Sequence, residues 1–516
     1  MPVRKQEFTE IYDNLSKIVD VDDSRGRSVP KNMNFIEEGF LSKDTGCEYF
    51  GDTDATTESH SLFTYKKKDG TEYRIRAKGT KLQVYNNSNN TYEDISSSPT
   101  FTAGARFGYI VYDDELWLGN AVESLYKWDG TTFTEYASAP KGNILEIFED
   151  RLCVAGVTAE PLTIYYSNVG TLQTFGASDV LNPLGTDAVT DLVNYYGTLL
   201  IFKEESIWKL TFVYDQVVTL FVPKLEVQSG NYGSCSKKAT TWVENDIWFF
   251  TGREVRSIGY KDQQIGILGI NGSVISEPIK ETLKTLSIVN FDKVVVFYHN
   301  RRFYLSLPLE SSTNNTTFVC HTLHSNNWTK YTDRIKSNTQ DYEVVDDVVY
   351  SATSSGTYGV LKWDETLLDD ENTAVPAEVF FDRIEDKDFN KFTFYRYLDL
   401  MFKDLSARIT ITIREDANDG RDERSKTFIV GSETVSDDMT LGQVPVGDSQ
   451  FGDSYGYSVE FAPFQKRRVS FLSKHQAITI GLSNSNIGES FTLAQFALSG
   501  HRRPRKMFKP SQIVSM

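Results

Sequence analysis

The residues best equipped for chemistry lie close together at Cys320, His321 and His324, a thiol and two imidazoles of the types that hold zinc. A structural zinc needs four such ligands, and a catalytic one needs three with an open position. Here the group sits alone in a stretch rich in Thr and Asn, and no CxxC pair occurs in the chain. The cluster reads as incidental and no metal is expected. His60, His299, His475 and His501 are scattered singly. Trp128-Asp129 and Trp363-Asp364 have the form of the WD dipeptide, but no Gly-His partner precedes them, so they read as aromatics closing a small sheet. A sialidase-type Asp box separates Asp and Gly by one residue, whereas Asp69-Gly70 and Asp129-Gly130 are adjacent and turn-forming. No Walker loop is found. The expectation is a non-enzyme with no catalytic residue and no cofactor.

The elements that would have to position any such residues are strands. Residues 107–136 hold three short apolar runs and a fourth aromatic one, separated by turn chemistry, which predicts one four-stranded antiparallel blade. Tyr109 to Tyr112 runs into an Asp113-Asp114 turn, Leu116 and Leu118 return, and Leu125 to Trp128 forms a third strand. Asp129-Gly130 then supplies the φ > 0 positions of a tight hairpin into Phe133 and Tyr136. The same order recurs at 62–92, 144–156, 192–208, 241–250, 294–305 and 348–363. That makes about seven units at a pitch near 45 residues, the range of propeller blades. Ordering such a unit costs roughly 1–2 kcal/mol per residue, while a lone small sheet buries only one face. Packing each sheet between two neighbours and closing the ring solves this, so a β-propeller of about six or seven blades is predicted over 46–372. A set of β-sandwiches is the competing architecture.

Composition bounds the rest. The 13% aromatic content favours strands. A formal charge of −17 argues against a general nucleic-acid-binding surface, which would need Lys and Arg to neutralise phosphates. Cys47, Cys153, Cys235 and Cys320 are widely spaced and read as buried free thiols. The opening MPVRKQEFTEIYDNL lacks the apolar core of a signal peptide, so synthesis in the cytoplasm is expected.

Residues 1–45 are not blade-like and read as an arm lying across the ring or a neighbouring subunit, with Phe8, Ile11, Leu15 and Ile18 at a spacing that fits a helix or an interrupted strand pair. The stretch 365–377 reads as a linker. Beyond it strands resume without the 45-residue pitch, at 379–381, 392–402, 407–414, 426–430, 457–461, 468–472, 477–482 and 491–498. Residues 373–500 therefore read as a β-sandwich or jelly-roll-like platform. The Asp-, Gly- and Ser-rich segments 415–424 and 431–454 are long enough to project to a partner or line a channel.

The opening residues Asn14-Leu15-Ser16, Asp22-Asp23-Ser24, Pro30-Lys31-Asn32-Met33 and Gly39-Phe40-Leu41 resemble the start of the β-propeller tail nozzle, or packaged-DNA stabilisation, proteins of short-tailed bacteriophages. Leu162 through Tyr165-Tyr166-Ser167 to Gly170 resembles a blade edge of those proteins, and Leu199 to Trp208 their next blade. The order of arm, blades and C-terminal β-domain is similar over most of the chain. The resemblance implies a virion component made in the host cytoplasm. It implies a cyclic homo-oligomer, a hexamer by expectation, placed below the portal and adaptor proteins. Such a ring would retain packaged DNA and later conduct it through the lumen without specific binding and without membrane insertion.

An acidic lumen suits that role, because phosphates would be held off the wall. The alternative is a carbohydrate-binding or adhesive propeller that exposes Trp117, Trp208 and Trp248 to sugars, although their alternation with aliphatic residues places them inside. The basic end of the chain, residues 501–516, carries Arg502, Arg503, Arg505, Lys506 and Lys509 against an acidic body. These five are the expected contact to the next subunit or to an adaptor ring.

Overall fold

The computed structural model describes residues 6–12, 15, 29–35, 40–216, 220–262, 267–270, 273–286, 288–309, 312, 315–322, 327–353, 357–382, 384–385, 391–415, 424–431, 465–475 and 477–504. The chain divides into two units, one of residues 46–322 and 330–366, the other of 1–45, 323–329 and 367–516.

The first unit is a seven-bladed β-propeller. Its first blade is Ser59–Lys66, Glu72–Lys78, Lys81–Asn86 and Thr91–Asp94, and its second is Gly108–Tyr112, Glu115–Gly119, Leu125–Trp128 and Phe133–Tyr136. The third to fifth blades begin at Ile144–Phe148, Val189–Tyr195 and Thr240–Val243, and each has four strands in sequence order. The sixth is built on Val295–His299, Arg302–Pro308 and Asn315–His321. In the seventh, Thr339–Val345, Val348–Thr353 and Tyr358–Trp363 are completed by Cys47–Asp54 from the start of the unit, with Trp363 opposite Cys47 and Leu361 opposite Tyr49. The last blade thus borrows a strand from the beginning, and the ring is closed by backbone hydrogen bonds.

Blade-to-blade packing explains why the apolar alternation recurs. Phe63, Tyr65 and Ile75 of the first blade share a core with Leu116, Leu118 and Trp128 of the second. Trp117 and Leu125 pack on Leu152 and Val154, and Cys153 and Ile164 on Leu199 and Ile201. Leu200 and Phe202 meet Ile247 and Phe249, Trp248 meets Phe303, and Phe297 and Tyr304 meet Val349 and Leu361. Leu62 and Tyr92 close the circle on Val345 and Val360. Each sheet buries both faces, as the cost of ordering a small sheet requires.

The tight turns sit elsewhere than the Asp-Gly pairs suggest. Asp113-Asp114, Glu149-Asp150, Asn300-Arg301 and Asp346-Asp347 join first and second strands, and all eight residues have φ between 47° and 65°. These are two-residue turns that twist with the strands, built without glycine. Asp129-Gly130 is instead an Asx turn, in which Asp129 Oδ1 accepts the Thr131 and Thr132 backbone N–H groups, each at 2.8 Å, and Gly130 alone takes a positive φ of 97°.

The second unit is a sandwich of two antiparallel sheets. One centres on the long partners Lys391–Leu405 and Phe491–Pro504, and the other on Ile409–Glu415 and Ala477–Asn484. Leu398, Leu400, Phe496 and Leu498 of the first sheet interleave with Ile409, Ile411, Ile480 and Leu482 of the second. The expected arm is part of this unit: Gln6–Tyr12 pairs along Phe491–Pro504, Leu41–Lys43 pairs with the same strand, and Leu15, Met33 and Phe35 are in the core. The reason is the free edge of a 14-residue strand, which an unpaired arm would leave without backbone partners. The predicted strand 457–461 and most of the loop at 431–454 lie outside the described residues.

Candidate functional site, the axial mouth of the propeller

The first strand of every blade starts at the same end of the ring axis, and three of them start with a β-bulge. The register steps from Ser59 to Ser61, from Val189 to Asp191 and from Thr339 to Asp341, leaving His60, Thr190 and Gln340 as extra residues in the first, fourth and seventh blades. A bulge re-aims the side chain that follows it. In each case that side chain reaches the next blade. Ser61 Oγ accepts the Phe107 N–H at 3.0 Å, Asp341 Oδ2 accepts the Leu62 N–H at 2.9 Å, and Asp191 Oδ2 accepts the Thr240 hydroxyl.

Three cations at this end reach blades that are not their neighbours. Lys238, entering the fifth blade, donates to Asp341 Oδ1 of the seventh, and Lys237 donates to the Asn143 carbonyl at the start of the third. Arg106, entering the second blade, donates through Nη1 to the Asp292 carbonyl at 2.7 Å and through Nη2 to the Gln340 carbonyl at 3.2 Å. Gly108 gives Lys237 its path: a Cβ there would lie 2.1 Å from the Asn143 oxygen and 2.9 Å from the Lys237 ammonium. The mouth is tied across by side chains.

Crowding perturbs the ionisable groups. Burial, with Lys238 second, pulls Lys237 down to about 7. Burial raises Asp191 to about 6, and burial together with the Asp191 charge raises Glu146 to about 7. Glu343 is raised to about 7 by burial even though the Tyr109 hydroxyl donates to it at 2.7 Å. Burial drops His60 to about 4, so it is neutral at pH 7. Ammonium, guanidinium and carboxylates in this arrangement can hold blades together and bind charge.

The residues singled out in the sequence fall elsewhere. Cys320 and His321 are consecutive on one strand, so their side chains leave opposite faces, and both are buried; His324 lies outside the described residues. Among the described residues no three His, Cys, Asp or Glu side chains gather to hold a metal. Trp117, Trp128 and Trp363 are buried, Trp208 and Trp248 partly so, and Trp117 stacks on Tyr136 at 5.2 Å. Arg502 is committed to Glu10 Oε1 at 2.6 Å within the sandwich, where the last strand continues to Pro504. The basic tail therefore begins later than residue 501. Arg503 has its backbone in that strand, while Arg505, Lys506 and Lys509 lie outside the described residues.

Sequence reasoning missed Arg106, Lys237, Lys238, Asp191 and Asp341. The available signal was their place: each is a charge at the very start of a blade's apolar first strand. It also counted the serine elbow G-x-S-x-G as absent, wrongly, because Gly452-Asp453-Ser454-Tyr455-Gly456 has that spacing; the stretch lies outside the described residues.

No family model matches the sequence, and no curated protein matches it. Solved structures with a similar fold include the WD40 domain of Neurospora crassa Pan2, at 9% identity over 60% of this chain and 90% of that one, with a TM-score of 0.34. YCF48 bound to D1 peptide is similar at 12% identity over 66% and 99%, with a TM-score of 0.37. The computationally designed Ika8 protein is similar at 10% identity over 62% and 99%, also with a TM-score of 0.37.

Proposed function

We propose that this chain is a structural virion protein of a bacteriophage tail, a nozzle subunit that assembles into a closed ring, retains packaged DNA and conducts it at ejection. The observation that carries the reading is the tied axial mouth. Side chains of the fifth and second blades bond to the third, sixth and seventh across the axis, so a passage for DNA would lie between copies and not through one propeller. The resemblance of the opening residues and of the Tyr166-Ser167 and Leu199 to Trp208 stretches supports the tail assignment, and the formal charge of −17 suits a wall that repels phosphate.

Portal, adaptor and further tail proteins would be the partners. The chain would act by assembly and catalyse nothing. A second reading, adhesion to carbohydrate, draws on one observation: Tyr196 is 60% exposed and meets the 38% exposed Trp242 edge-on at 5.5 Å, an aromatic pair on which a sugar could stack.

Sedimentation of the full-length chain over a range of concentrations tests the first reading. A discrete ring-sized oligomer is expected. A monomer at every concentration, together with retention on a glycan array that Tyr196→Ala and Trp242→Ala abolish, would favour the second.

A further inference from the structure

The third and fourth strands of the fourth blade, Ile207–Asp215 and Leu220–Ser229, run on past the rest of the blade. The second strand pairs only with the base of the third, from Leu199 opposite Leu210 to Phe202 opposite Ile207. Beyond it Thr211 to Asp215 face Lys224 to Leu220 in five register pairs, and among the described residues no further strand joins them. At about 3.4 Å per residue this two-stranded ribbon projects about 17 Å.

The base of the ribbon is anchored and its outer part is apolar. Phe212 is buried against the third blade, stacked on Phe148 at 6.0 Å and edge-on to Tyr166 at 5.7 Å. Two residues further along the same face, Tyr214 is 51% exposed and meets Phe221, 61% exposed, edge-on at 5.4 Å. Val213 on the opposite face is 46% exposed. An isolated two-stranded ribbon is marginal in water, and one that turns three large apolar side chains outward needs a cover.

Charge selects that cover. Residues 207–229 hold Lys209, Lys224, Asp215 and Glu226, two of each sign, and Glu226 takes the Lys224 ammonium at 2.6 Å. The ribbon is therefore neutral in a chain with a formal charge of −17. Two copies repel through most of their surface, and the ribbon is where they can meet without opposing charge. Lipid is a poor occupant, because hydrocarbon would leave the backbone groups of the ribbon edges unpaired. A nucleic-acid backbone would find no net positive charge there. A ribbon of this length offers on the order of 700 Å2, close to what one partner gives a standard protein interface. We propose that the ribbon docks, through Tyr214, Phe221 and Val213, on the next copy of this chain. The inference rests on the ring reading above and names the surface by which copies join. Each copy gives one ribbon and receives one, the head-to-tail contact that closes a ring.

The test is sedimentation velocity of the full-length chain over a range of concentrations, beside the double variant Tyr214→Ser, Phe221→Ser. The parent is expected as a discrete oligomer. The double variant should need roughly a hundredfold more protein to associate, because two aromatic anchors are lost, with its circular dichroism and melting temperature unchanged. Val169→Ser, at a site 59% exposed in a loop of the third blade, should assemble as the parent does. Should the double variant fail to fold, Val213→Glu gives the same readout by placing a charge on the opposite face of the ribbon.

A parent oligomer that the folded variants match in strength would overturn this proposal and leave the ring reading standing. A parent that is monomeric at every concentration would overturn both. Flotation of the parent, and not of the double variant, with phosphatidylcholine vesicles would overturn the proposal in favour of lipid.

Discussion

Lys238 and Asp341 bond across the axis, skipping the sixth blade, and Asp341 holds the Leu62 N–H of the first blade with its other oxygen. One carboxylate thereby joins the fifth, seventh and first blades at the point where the ring closes. Asp341 is 1% exposed, so loss of its partner leaves a buried charge. Lys238→Met should cost about 3 kcal/mol, and Asp341→Ala about 5, because it also orphans two backbone N–H groups. Urea unfolding followed by tryptophan fluorescence measures this, since six of the seven Trp lie in the propeller unit. Losses under about 1 kcal/mol for both would show that the bond is a surface ornament.

Closure by Cys47–Asp54 gives a second expectation. Phe50 on this strand stacks on Tyr85 at 4.0 Å and meets Tyr350 edge-on at 4.9 Å, joining the seventh blade to the first. Phe50→Ala should cost about 2–4 kcal/mol and speed proteolytic cleavage within the seventh blade. Unchanged cleavage rates would mean that the borrowed strand does not hold the ring.

Turn chemistry gives a third. Asp347 has a φ of 65° and an exposed side chain, a conformation that costs a non-glycine residue roughly 1–2 kcal/mol. Asp347→Gly should raise stability by about 1 kcal/mol, offset in part by the freer unfolded chain. A loss of stability would mean that its 3.6 Å contact with His299 matters more than the backbone strain.

Glu146 sets a pH dependence. Burial, and then the Asp191 charge, raise it from 4.5 to about 7 in the folded protein. Its contribution to stability is therefore full below the unfolded value and is lost as pH rises through about 7. Glu146→Gln removes the ionisation, so its stability relative to the parent should improve from pH 5 to about 7 and level off above that. A difference that stays flat, or that falls with pH, would refute the burial.

Much of the fold was legible because blades repeat. Residues 107–136 carry the strand order. Trp117 was placed inside by its alternation and is buried, while Trp208 and Trp248, placed inside on the same ground, are partly buried. Trp128 and Trp363, read as aromatics closing a small sheet, are buried. The closing strand was not legible: Cys47–Asp54 contains Gly51 and three acidic residues, with no clean period of two, and its partner lies some 300 residues away. Nor was the axial mouth. A bulge leaves no mark in the sequence, and Lys237, Lys238 and Asp341 become a site only when ring closure brings the fifth and seventh blades together. The arm was misread because Gln6–Tyr12 carries its pairing instruction in Phe491–Pro504 at the far end of the chain.

The central claim is that the chain works as a ring of copies around a common passage. Electron micrographs of the purified full-length protein test it most directly. Closed rings of identical subunits with a central opening wide enough for duplex DNA are predicted. Single discs at all concentrations, with no central opening between copies, would contradict it.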